Sequence, residues 1–348
     1  MESREHGTVG ARRAVAEVTA ADLAGSPAWF PLEAPAAGTL GLVRLDEAAY
    51  QRASFLDQRI LSTKPDVGLC SIETASTAAA MLDTRAHYIF HIGHVGSTLI
   101  SRILGEHPGF HSVREPALLR VMAAEQAQTA YSLNLTATLT LLARTWSTQQ
   151  RALIKATSFV SEIAGSILAT DDQAAALLVY TPALSYLRCI LGGPNSRAES
   201  RVLAPARLAR LQARIDRTFF PSLPSSEGEW IAMSWLCEMT ALCQAAARHE
   251  ARVRWIDFET FLLTPAVSLV DALRTLGATP SAQDVDALLA GPWMSRYAKA
   301  PEHAYDAALR RSVLEAADRE HRREIRRGMD WLARTAGRHR LIDVALAH

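Results

Sequence analysis

Short apolar runs and longer amphipathic ones alternate along most of the chain. HYIFHI closes at Ile92, and FHSV (110–113), ALIKA (152–156), ALLVYT (176–181) and VRWIDF (253–258) repeat the pattern. Each run is bounded by turn residues or charge, and helical patterns separate most of them. Strands alternating with helices predict βαβ units, hence an α/β protein with three α/β/α layers and a mostly parallel sheet. TPAVSLVDALRTLG carries helix grammar: Thr264 as N-cap, Pro265 in the first position, Val267, Val270, Leu273 and Leu276 as the apolar set, and Gly277 past the end. EAADREHRREIRRGMDWLAR predicts a charged amphipathic helix near the C-terminus, with its arginines on a solvated face.

Upstream the pattern weakens. Residues 1 to about 28 are polar and alanine-rich and are expected to form a poorly ordered tail. Residues 29–86 read as an accessory segment punctuated by Pro and Gly, with a strand at Leu40–Leu45 and a helix at Glu47–Ile60. A single domain then covers residues 87–348, helical toward its end. No internal repeat or low-complexity tract is evident.

Composition narrows the function classes. The 348 residues are 49% hydrophobic, enough for a sizeable core. A net charge of +1 supplies no bulk field for nucleic acid or an anionic membrane, so neither is an expected partner. Cys70, Cys189, Cys237 and Cys243 form no CxxC pair and no Cys/His cluster with zinc spacing, so no metal site is expected. Scattered thiols, no apolar leader and no run approaching ~18 apolar residues point to a soluble cytoplasmic protein. Lysine occurs only at Lys64, Lys155 and Lys299.

The stretch HIGHVGST (91–98) has two incompatible parses. HIGH matches the class I aminoacyl-tRNA synthetase signature, but that class needs a second, lysine-rich loop, and the three lysines are isolated; WMSRYAK (293–299) is a poor approach to it. The other parse is a strand ending at Ile92, a turn through Gly93, His94, Val95 and Gly96, and a helix opened by Ser97 and Thr98. Backbone N–H groups and a helix N-terminus then converge on one point, a geometry suited to phosphate or sulfate. A tight turn with no ligand has the same pattern. The loop is not a Walker A motif, because Ser97 stands where the lysine belongs. No strand is expected to end in an aspartate that would hold Mg²⁺, LLVYTP included, which disfavours chemistry on a magnesium-bound γ-phosphate.

IFHIGHVGSTLISRILGEHPGFHSVREP resembles the 5′-phosphosulfate loop of sulfotransferases, nearest in layout to the tyrosylprotein and bacterial members. DFETFLLTPAVSLVDALRTLG resembles a second family block, with Glu259 and Pro265 in register, and LIKAT a third, a strand ending in lysine. The resemblance spans roughly residues 87–300. It implies a P-loop-type fold, the donor 3′-phosphoadenosine 5′-phosphosulfate (PAPS), and transfer of a sulfuryl group to a hydroxyl or amine of an acceptor it does not identify.

The same resemblance implies roles for residues. Gly96, Ser97 and Thr98 would supply donors to the anion. Lys155 stands where the family lysine approaches the sulfuryl group; otherwise it is a strand-end lysine snorkelling to solvent. Glu115 occupies the place of the catalytic glutamate; otherwise it pairs with Arg114 or a helix start. Thr157 stands where cytosolic sulfotransferases carry a histidine base. Two departures matter. His94, charged only when protonated, replaces an Arg or Lys of the loop. Tyr180 and Arg188, in YTPALSYLR, replace the usual 3′-phosphate motif, leaving Arg188 with Arg296 or Lys299 to hold that phosphate. The rival expectation is a catalytically silent P-loop protein binding another nucleotide or phosphometabolite.

Overall fold

The computed structural model describes residues 15–125, 134–215 and 223–348. All five anticipated runs are strands: β5 (Ala86–His91), β6 (Phe110–Arg114), β7 (Arg151–Lys155), β8 (Ala176–Tyr180) and β9 (Val253–Asp257). Together with the layers of helix packed on them they form the expected α/β architecture. The strands make one sheet in the order β6-β7-β5-β8-β9, every pair parallel. Every residue of β5 is buried, which is why it reads as a continuous apolar run rather than an alternating one. Of its two histidines, His87 accepts the Ala175 N–H at 3.0 Å, and burial pushes its pKa down to about 4. Connections leave β5 in one direction to β6 and β7 and in the other to β8 and β9. A crevice therefore opens outside the carboxyl ends of these strands, where the order reverses.

The N-terminal part differs from expectation. Residues 1–14 of the anticipated tail lie outside the described residues, but residues 16–25 are structured. β1 (Ala16–Glu17) pairs with β4 (Val67–Ser71), and the Ala20–Gly25 helix carries a capping box between Thr19 and Asp22. Alternation in this segment is too short to register as periodicity, yet Val18 and Leu23 are buried. With β2 (Trp29–Ala36) and β3 (Thr39–Arg44) they build a second sheet, β1-β4-β3-β2. On β3, Leu40 and Leu42 join a small cluster with Val18, Leu23 and Ala78, while Val43 joins the main core beside Phe30 and Leu32. The expected helix at 47–60 is interrupted: Glu47–Arg52 is helical, and a 3₁₀ turn follows at Gln58–Thr63.

Toward the C-terminus the charged helix is two helices, Ala307–Glu320 and Arg322–Thr335, parted at His321. The Pro265–Thr275 helix has the expected bounds, with Gly277 at φ +79° beyond its end. Its buried face carries Leu269 and Leu273 rather than Val267, which is 65% exposed, and the Thr264 hydroxyl bonds Thr260 O instead of capping. No described helix is long and apolar enough to cross a membrane.

Candidate active site

The HIGHVGST stretch leaves β5 and opens the Ser97–Gly105 helix. Three of its residues take positive φ: Gly93 (+85°), His94 (+56°) and Gly96 (+67°). Gly96 is required twice over, because a Cβ there would lie 2.0 Å from the Phe258 ring. His91 fixes the start of the turn. Its Nδ1 accepts the Gly93 N–H at 3.0 Å, so its Nε2 carries the proton and donates to Ala156 O at 2.9 Å. Burial, with Lys155 and Lys299 nearby, holds its pKa well below the usual value, consistent with that neutral tautomer. Among the described residues the helix N-terminus has no side-chain cap, and the buried Thr98 Oγ1 has no partner. Both are donors awaiting an acceptor.

Two cavities meet beside this turn. The smaller, about 170 Å³, is lined by the turn from His94 to Leu99 and by Lys155, Arg296, Lys299 and Arg310. The larger, about 910 Å³, is lined by Phe55, Arg59, Arg120, Phe159, Ile190 and Val202 among others. His91, His94, Glu115 and Lys299 line both.

Glu115 therefore stands where the cavities adjoin. It follows β6 directly, adopts φ +52°, and its N–H donates to Lys155 O at 2.6 Å. Its carboxylate forms a buried ion pair with Lys155 Nζ, not with Arg114. Lys155 is wholly buried rather than snorkelling. Burial pushes its pKa down to about 8 against the opposing pull of the Glu115 charge and hydrogen bond, with Lys299 and Arg114 lowering it further.

His94 is held by a neighbouring helix. Its Nε2 lies 3.2 Å from Glu199 and its Nδ1 3.2 Å from Ser196 Oγ, both on the Pro194–Ile215 helix. The hydrogen bond from His94 holds the Glu199 carboxyl below the ordinary range. Arg188 is not brought to the site: its guanidinium pairs with Asp318 at 2.8 Å, and it lines neither cavity. Arg296 and Lys299 do face the smaller cavity. Contrary to expectation one strand does end in an aspartate: β9 closes with Asp257 at the sheet edge, where its oxygens accept from the Glu259 N–H and the Thr260 hydroxyl as a helix cap.

Arg310 is the main residue that sequence reasoning missed. It is 5% exposed, donates to both oxygens of Glu259 at 2.6 and 3.3 Å, and lies over the Phe258 ring. Burial opposes its charge, but Glu259 together with Cys189 and Tyr305 outweighs that and raises its pKa. Glu259 also accepts from Thr181, just past β8, at 2.9 Å. Arg310 lies before the stretch read from sequence as the charged helix, and it shares with Ala317 the buried stripe of the Ala307–Glu320 helix.

No protein-family model matches the chain, and no curated protein does. Among solved structures the chain is similar to mouse sulfotransferase SULT7A1 complexed with PAP, at 12% identity, TM-score 0.41, covering 78% of this chain and 93% of that one. It is similar to the sulfotransferase domain from the curacin biosynthetic pathway at 13% identity, TM-score 0.40, covering 72% and 98%. Sulfotransferase STF1 from Mycobacterium tuberculosis aligns at 14% identity, TM-score 0.36, covering 71% and 81%.

Proposed function

We propose that this chain is a sulfotransferase that uses PAPS as donor, bound in the smaller cavity, and a hydroxyl or amine acceptor seated in the larger one. The observation that carries this reading is the position of Glu115, which lines both cavities and is paired with the buried Lys155. A general base for group transfer must reach the acceptor on one side and the donor's reacting group on the other.

The residues present fit the donor. The partnerless Thr98 Oγ1 and the uncapped amides of the helix start would hold anionic oxygens, and Gly96 keeps a side chain out of their way. Arg296 and Lys299, without Arg188, would meet a second phosphate, and Arg310 adds a cation anchored by Glu259. When bound, PAPS supplies an activated sulfuryl group that transfers in line, with the adenosine bisphosphate departing. Glu115 takes the proton from the acceptor hydroxyl at its free carboxylate oxygen. Lys155 Nζ, released in part as Glu115 is protonated, keeps a positive charge beside the oxygens that gain negative charge. His91, neutral and doubly bonded, holds the turn in register throughout.

A second reading, a silent binding protein for another phosphometabolite, is favoured by the Arg188–Asp318 pair and by Glu199 beside the loop histidine. The two are separated by incubating the protein with PAPS and a panel of phenols, alcohols and amines. Acceptor-dependent release of PAP together with a sulfated product, abolished in Lys155→Ala, is the expected outcome. Tight phosphometabolite binding with no acceptor-dependent release across the panel sinks the transferase reading.

A further inference from the structure

The stretch from Tyr50 to Arg59 belongs to the accessory segment, yet its hydrogen bonds run to both sides of the catalytic centre. Leu56 N–H donates to Arg114 O at 2.8 Å, and Leu56 O accepts the Ala117 N–H at 3.2 Å. These two bonds straddle Glu115. A glutamate at φ +52° lies where non-glycine residues are strained, and such a conformation persists only when its surroundings hold it. Leu56 on one flank and the Glu115 N–H to Lys155 O bond on the other are that surrounding.

Two buried arginines anchor the stretch itself. Arg114 donates from Nε to Ala53 O at 2.8 Å, from Nη2 to Tyr50 O and to Gln51 O at 2.9 Å, and from Nη1 to Ser112 Oγ at 3.0 Å. Arg102, from the helix after the anion loop, donates to Gln51 O, Arg52 O and Ser54 Oγ at 3.1, 3.2 and 2.8 Å, and its Nε donates to Ala298 O at 2.7 Å. Ser54 Oγ in turn donates to Lys299 O at 3.1 Å. The carbonyls served are those a short helix leaves orphaned at its C-terminus, and only a planar guanidinium can fork across several of them. The interruption of the helix after Arg52 is what presents them.

We propose, on the basis of the transferase reading above, that residues 50–56 are a positioning element of the catalytic centre, with two separable arms. Arg114 and the Leu56 backbone hold Glu115 in its conformation. Arg102 and Ser54 hold the Ala298–Lys299 strap over the donor cavity. The accessory segment is thus a working part of the site rather than an appended module.

The test is a crossed pair, Arg114→Lys and Arg102→Lys in the full chain, read by hydrogen–deuterium exchange and by PAP calorimetry. Arg114→Lys is expected to speed exchange of the 114–117 amides on the order of tenfold while leaving PAP affinity within about twofold. Arg102→Lys is expected to speed exchange in 296–300 and to weaken PAP on the order of tenfold, leaving 114–117 protected. If either substitution prevents folding, Ser112→Ala and Ser54→Ala remove a single hydroxyl from the respective arm and carry the same expectations in weaker form. Uniform loosening of both regions, or no local change in either, overturns the proposal. Wild-type protein that binds no PAP defeats the transferase reading instead, and the exchange pattern still reads the two arms.

Discussion

Glu115 and Lys155 are locked together at the carboxyl ends of neighbouring parallel strands, where Arg114 and Lys155 are register partners of β6 and β7. Sheet register brings the two side chains together; a one-residue slip would turn one of them to the opposite face. Lys155 has no exposed surface and Glu115 is 9% exposed, so removing either partner leaves a charge in poor solvent. If the pair serves acid–base chemistry as proposed, that chemistry and stability cannot be altered independently.

Glu115→Gln should lower sulfuryl transfer by roughly 10²–10⁴-fold, the usual worth of a general base, with PAP affinity close to wild type. Lys155→Ala should weaken both. Retention of most activity in Glu115→Gln would require another base.

The pH response of Lys155 should run in opposite directions for activity and stability. Its pKa in the fold is about 8, against an ordinary value near 10.5. Below about 8 both folded and unfolded chains hold the proton, so this group adds no slope. Between about 8 and 10.5 the unfolded chain binds more protons, so stability from this group rises with pH and is lost as pH falls back through 8. Transfer, which needs the ammonium, should fall over the same range. Lys155→Met should remove the stability slope, measured by denaturant titration at several pH values; an unchanged slope would assign it to other groups.

His94 ties the turn to the Pro194–Ile215 helix through Ser196 and Glu199. His94→Ala, which removes both contacts, should weaken PAP binding in calorimetry, whereas His94→Arg should keep it. Wild-type affinity in His94→Ala would mean that the histidine neither holds the turn nor meets the anion.

Gly96→Ala forces a Cβ into the Phe258 ring and a left-handed φ on alanine. Left-handed strain alone costs about 1–2 kcal/mol, and the displaced ring adds to it. The variant should melt lower and lose PAP binding even where it remains folded. Wild-type affinity in Gly96→Ala would mean the anion does not approach this part of the turn.

These expectations separate what local pattern carries from what it cannot. The five strands and the strand–turn–helix at HIGHVGST were legible because burial on a central parallel sheet imposes a continuous apolar run, and glycine marks the turn. Glu115 and Lys155 were legible as single residues, but their mutual pairing depends on β6–β7 register. Arg310 was hidden because it lies before the stretch whose pattern was read as a helix, and its partner Glu259 lies on a different element. Arg188 misled for the converse reason: an expected phosphate ligand is spent on Asp318, a contact between distant helices. Ala16–Gly25 was missed because two strand residues and a six-residue helix hold no periodicity to read.

The most direct measurement is a thermal and calorimetric comparison of PAP with ATP, each with and without magnesium. Ser97 stands in place of the loop lysine that meets a γ-phosphate in a Walker A motif, while Arg296, Lys299 and Arg310 line the smaller cavity and, on the transferase reading, would meet a bisphosphate. PAP at ~100-fold above its dissociation constant should stabilise the fold by about 2.7 kcal/mol, more than ATP does under either condition. Preferential stabilisation by magnesium-ATP would contradict the account.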